Sequence, residues 1–155
     1  HAGLWPEWSI EQALACSREV EQQLQGPDYR EFLRHLYGNH PDCWHENLAG
    51  IERWRFIVNS MTRMRMITGD GRLDHDFKGE LPDAPAGFRA WFDVPARNPR
   101  PVRLLCGHWS ALGFTQRPEL ITLDTGCLWG RCLTAYRLDD GAIFQVPSRH
   151  PVTEE

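Results

Sequence analysis

A short apolar run, Leu104-Leu105-Cys106, stops abruptly at Gly107-His108-Trp109. The pattern reads as a strand that delivers a histidine to the mouth of a sheet. The apolar residues bury, the glycine frees the backbone to turn, and an imidazole is left at the exit. A second histidine beside a glycine, in His1-Ala2-Gly3-Leu4, opens the chain. If both hold metal, the chain carries part of a metal site whose remainder lies upstream of residue 1, and a chain that opens on such a histidine reads as truncated.

The 155 residues suffice for one domain with a sizeable core. Seven tryptophans are many for this length, and core filling is the first use expected of most of them. A net charge of −4 gives no bulk field for duplex nucleic acid, so an anionic substrate must be held by local arginines or by metal. Lys78 is the single lysine; arginine suits bidentate phosphate contacts, and genomic base composition would bias usage the same way. The odd count of five cysteines, with no signal peptide, argues for reduced thiols and a cytoplasmic setting. Cys43-x-His45 and Cys127-x4-Cys132 lack a completing ligand pair, so all five thiols read as structural. No run of about 18 apolar residues is present, so no membrane-spanning helix is expected.

Along the chain, Ser9 with Gln12 has the spacing of a capping box, and Ile10, Ala13, Leu14, Val20 and Leu24 recur at helical intervals over residues 10–25. Gly26-Pro27 ends that helix, and a second runs over 29–37 to Gly38. Gly38-Asn39-His40 follows a helix stop, so it reads as a C-cap and loop. A third helix is expected over 48–61. Arg63-Met64-Arg65-Met66 then alternates as a half-buried strand does, which sets both arginines on one face over 63–68. That face fits an oligophosphate or is simply solvated. A turn at Gly69-Asp70-Gly71, a short return strand over 72–74, an irregular loop over 74–87, a helical turn over 88–92 and a linker over 96–101 follow. The last third, 102–147, reads as β-rich. Strands are expected over 102–106 and 120–123, then a hairpin of 133–138 with 143–146 around Asp139-Asp140-Gly141, before a frayed tail over 148–155.

Neutral imidazole suits Mn, Fe, Co or Zn, and two such ions can activate water against phosphorus. A site of that kind also needs carboxylates. Asp124, in Asp124-Thr125-Gly126, reads first as an acceptor for loop amides and second as a ligand. His35, His45, His75 and His150 have no supporting partners in the sequence.

The run from His1-Ala2-Gly3 through the first helix resembles the bacterial symmetrical diadenosine tetraphosphatases, a branch of the calcineurin-like metallophosphoesterases. So do Arg55-Phe56-Ile57-Val58-Asn59 to Thr62-Arg63-Met64-Arg65, Gly107-His108-Trp109-Ser110, and Leu123-Asp124-Thr125-Gly126-Cys127-Leu128-Trp129-Gly130. The resemblance implies an α+β fold, the C-terminal part of a domain with two packed mixed sheets flanked by helices, in which residues 10–62 form a mostly helical insert. It implies that His1 and His108 are metal ligands, and that Asn59, Thr62, Arg63 and Arg65 belong to the phosphate site. It further implies two divalent metal ions and symmetric cleavage of diadenosine tetraphosphate to two ADP, with tetraphosphate-capped RNA ends as related substrates. The family's Gly-Asp-x-His-Gly, Gly-Asp-x-x-x-x-Gly and Gly-Asn-His-Asp motifs precede the His-Ala-Gly segment and are absent here. The bridging Asp and the proton-donating His are therefore expected in a missing N-terminal half of the same domain, and no catalytic residue is assigned within this chain, which is expected to be inactive alone. Two other readings stand beside this one: a non-catalytic phosphate- or nucleotide-binding module, and a metallophosphoesterase acting on phosphoproteins.

Overall fold

A computed structural model describes residues 1–98 and 101–153. The first helix, α1, spans Ile10–Gln25. Its start is fixed by the reciprocal box: Ser9 Oγ accepts from the Gln12 amide at 3.1 Å and Gln12 Oε1 accepts from the Ser9 amide at 2.9 Å. Helices α2, Tyr29–Leu36, and α3, Gly50–Arg63, pack against it. Between them lies an aromatic core. Phe56, wholly buried on α3, meets Trp5 edge-on at 5.1 Å and Trp44 at 5.4 Å, and Trp8 meets Trp44 at 5.0 Å. Such offset ring pairs add to the burial term itself. Trp5, Trp8, Trp44, Trp91 and Trp109 are all buried, which matches the expectation that most tryptophans fill core.

Three small sheets follow. Strand β1, Met66–Ile67, sits between β2, Leu73–Asp74, and β3, Arg89–Ala90, all antiparallel. Strand β4, Leu104–Cys106, runs parallel to β6, Leu120–Thr122, whose other side pairs antiparallel with β5, Thr115–Gln116. The hairpin of β7, Cys132–Tyr136, and β8, Ile143–Pro147, turns where Asp139-Asp140-Gly141 predicts; Asp140 Oδ1 accepts from the Ala142 amide, and Gly141 takes φ +74°. Leu120 and Ile121 on β6 are fully buried, while Met66, Ala90 and Trp109 form a second, smaller core.

The architecture is mixed helix and sheet, helical first and β-rich last. Several expected details differ. The alternating stretch 63–68 is a strand only at Met66–Ile67, because Arg63 still closes α3 and the chain becomes extended at Met64, with φ −64° and ψ 130°. The described residues carry three small sheets, of which the β4-β6-β5 sheet is mixed. The helical turn expected over 88–92 is the strand Arg89–Ala90 followed by a 3-10 turn at Trp91–Asp93, and β5 lies in what reads as loop. Within the expected linker, residues 99 and 100 lie outside the described residues, as do 154 and 155 of the tail. The rest of that tail is held: Ser148 N donates to the Arg131 carbonyl and Thr153 N to the Trp129 carbonyl, so the chain returns over Gly130, where a Cβ would meet Pro151 at 2.4 Å.

Candidate functional site

One face of α3 carries Arg55, Asn59 and Arg63 at four-residue intervals, so the three side chains stack along the helix. Each grips the segment that leaves α2. Arg55 donates to the carbonyls of His35, Leu36 and His40. Asn59 Nδ2 donates to the Gly38 carbonyl at 2.8 Å, and Arg63 donates to Asn59 Oδ1 and Asn39 Oδ1, each at 3.0 Å, and to the Gly38 carbonyl at 3.4 Å. Asn59 is nearly fully buried and acts on the guanidinium of Arg63 rather than facing a pocket. The Thr62 hydroxyl is turned back along α3 to the Val58 carbonyl at 2.6 Å.

The end of α3 is tied to both histidines. Ala2 N donates to the Met61 carbonyl, and the His1 carbonyl accepts from Gly107 N, each at 2.7 Å, so the first residues bridge α3 and the exit of β4. Gly3 lacks a Cβ to admit the indole of Trp91, which an added Cβ would meet at 2.5 Å, so its open side faces that ring. His108 is the one non-glycine residue of positive φ among the described residues, at +69°, a conformation costly for a side chain with a Cβ. Its Nε2 lies 3.0 Å from the Arg63 carbonyl, and since a carbonyl only accepts, Nε2 carries the proton. Trp109, buried with its Nε1 donating to the Gly79 carbonyl at 2.9 Å, anchors the turn and is not available as a stacking surface.

The His1 and His108 rings stand 5.3 Å apart, edge to face, and His108 forms a wall between two hollows. One, of about 420 Å³, is lined by His1, His108, Asp124 and the thiol-bearing Cys106, Cys127 and Cys132. The other, of about 400 Å³, is lined by Tyr37, Arg63, Arg65, His75, Asp76 and Lys78 together with Asn39. Burial, then the charge of Arg65, push His108 down to about 4, so its imidazole is neutral at ordinary pH. Asp124 Oδ1 accepts from Gly126 N at 3.2 Å, the loop-amide role expected of it, while its carboxylate also faces the hollow of the two histidines.

This geometry suits a divalent ion at His108. The ring is neutral, its Nε2–H is fixed on a backbone carbonyl, and the Nδ1 lone pair is left for a ligand, the outer-shell arrangement that orients metal-binding imidazoles. Two imidazoles do not complete a site, and among the described residues no group of three or more His, Cys, Asp and Glu could hold an ion.

The structure thus brings together His1 with His108, and Arg63 with Arg65, on opposite sides of one ring. Asn59 supports this arrangement, and Thr62 stands apart from it. Tyr37, Asn39, His75 and Lys78 join the cationic pocket without having been singled out in the sequence. The spacing of Arg55, Asn59 and Arg63 was the available signal for the first two, because three long polar residues stacked on a core helix need backbone partners.

No family model matches the chain. Curated relatives do. The chain is 56% identical over 151 residues to a Methylobacillus flagellatus protein, covering 97% of the chain and 54% of that protein. It is 55% identical over 145 residues to one from Nitrosospira multiformis (94% and 53%) and 50% identical over 147 residues to one from Nitrosomonas europaea (95% and 55%). All three are named symmetrical bis(5'-nucleosyl)-tetraphosphatase. The chain spans about half the length of these relatives, and across that span it belongs to the family of the symmetrical bis(5'-nucleosyl)-tetraphosphatases.

Proposed function

We propose that the chain contributes two imidazoles and a phosphate pocket to the hydrolysis of diadenosine tetraphosphate into two ADP. The observation that carries this reading is the position of His108, bonded to the Arg63 backbone and standing between the histidine hollow and the cationic pocket. Metal chemistry and phosphate recognition meet on one residue.

His108 Nδ1 and the His1 imidazole would hold divalent ions of the Mn, Co, Fe or Zn class. Two such ions, when bound, would activate water and neutralise phosphoryl charge. Arg63, Arg65 and Lys78 hold the phosphate chain, with Asn59 and Asn39 fixing the Arg63 guanidinium so that its remaining N–H groups are pre-aimed. The remaining ligands, the bridging carboxylate and the proton donor belong, in this reading, to the part of the relatives that the chain does not span. The calcineurin-like fold, a cytoplasmic setting and use of tetraphosphate-capped RNA ends are parts of the same proposal. Among the described residues no helix is long and apolar enough to cross a membrane.

A non-catalytic phosphate-binding module is the second reading, favoured by a cationic pocket that lies wholly within this chain. Metal-supplemented hydrolysis of diadenosine tetraphosphate separates the two. The enzyme reading expects no measurable ADP from the 155 residues alone and release of ADP when the remaining half of a relative is supplied. Continued inactivity with the complement folded and bound favours the module.

A further inference from the structure

Tyr37 is the most exposed large hydrophobic side chain among the described residues, at 82%, yet the backbone on both sides of it is hydrogen-bonded by side chains of α3. The carbonyls on either side of it, at Leu36 and Gly38, accept from Arg55 and from Asn59 with Arg63. An aromatic ring kept in water on a fixed backbone is pre-organised for a partner. One face of the ring is backed by the Arg63 guanidinium, 5.2 Å from its centroid, and the other is open. Behind it lies the pocket with Arg63, Arg65 and Lys78 set against one carboxylate, Asp76, a cationic spot in a chain of net charge −4. A second observation points to a ligand there: both ring nitrogens of His75, which also lines this pocket, are buried without a hydrogen-bond partner. Buried polar atoms are seldom left so.

We propose that Tyr37 is a nucleobase platform, stacking the base of a nucleoside oligophosphate whose phosphates lie against Arg63, Arg65 and Lys78 and whose sugar or phosphate oxygens satisfy His75. The inference rests on the phosphate reading above and deepens it. A flat ring over a polycationic pocket selects a ligand that is aromatic at one end and polyanionic at the other. Stacking is indifferent to which base is present, so the platform confers affinity for nucleotides with little choice among them.

Titration of the 155-residue chain with ADP, GDP and inorganic tripolyphosphate, followed by NMR, tests it. Tyr37→Ala should weaken ADP about tenfold while leaving tripolyphosphate within about twofold; Tyr37→Phe should restore ADP binding, and ADP and GDP should agree within about threefold. If Tyr37→Ala weakens ADP no more than tripolyphosphate, the platform is wrong and the phosphate pocket stands. If the wild-type chain binds neither anion at millimolar concentration, both fall.

Discussion

The helical third and the terminal hairpin handle apolar residues in opposite ways. Around α3 the large rings turn inward: Phe56 is wholly buried among Trp5, Trp8 and Trp44. In the β7–β8 hairpin the pattern is reversed. Thr134 is buried, bonded to Thr125 Oγ1 at 2.6 Å and to Gln145, while Leu133, Phe144 and Val146 on the opposite face stand 50–62% exposed. Leu133 faces Val146 and Ala135 faces Phe144 across the strands, so these side chains form one continuous apolar strip. The helical part therefore shares one buried core with β1, β2 and β6, whereas no described residue of the hairpin belongs to that core and its large apolar side chains contribute little to the stability of the chain. The site lies on the seam between them, held by α3 on one side and by the exit of β4 on the other.

The sharpest test of that contrast uses one residue type in both places. Phe56→Ala should cost about 3–5 kcal/mol in denaturant unfolding, since it empties a closed aromatic core, whereas Phe144→Ala should cost less than about 1 kcal/mol. Equal losses would break the comparison. Next in size is Arg55→Ala, expected to cost about 2 kcal/mol by leaving the carbonyls at 35, 36 and 40 without their donor, and to raise amide exchange at Tyr37. If exchange at Tyr37 is unchanged, the grip assigned to α3 is wrong.

An effect of similar size is expected from pH. Burial pushes the thiol of Cys16, on α1 in the helical core, from 9.0 up to about 11. The folded state thus favours the protonated thiol, and that contribution is complete below pH 9. It is lost as pH rises through 11, by roughly 2 kcal/mol. Cys16→Ala should flatten this part of the stability profile between pH 9 and 11, leaving the part due to Cys106, which burial shifts to a similar value. Smallest is the hairpin surface: Leu133→Lys with Val146→Lys should leave unfolding within about 0.5 kcal/mol of the wild type and lower light scattering at high concentration.

Legibility in the sequence follows the same division. Helix α1 could be read in full because its capping box and its apolar period are both local signals. The hairpin could be read from Asp139-Asp140-Gly141 for the same reason. Arg63 to Met66 misled because an alternation of two residue types is blind to a change of backbone state in its middle, and the helix ends there. The two arginines still reach one pocket, but through a helix end and an extended turn rather than a shared strand face. Pairing of His1 with His108 was open to sequence reasoning through their glycine neighbours. His75 and Lys78 were not, since they come from an irregular segment whose path is set by Trp109 and Phe77 packing edge to face, a contact between residues 32 positions apart.

The central claim is that His1 and His108 bind an ion together beside the phosphate pocket. Substoichiometric Mn²⁺, followed by paramagnetic broadening of the imidazole proton resonances, tests it without requiring activity. The account predicts that His1 and His108 broaden first and together, ahead of the exposed His35, His40 and His45, and that His108→Ala weakens the broadening at His1 about tenfold. Broadening spread evenly over the exposed histidines, or at His1 alone and indifferent to His108→Ala, would contradict it.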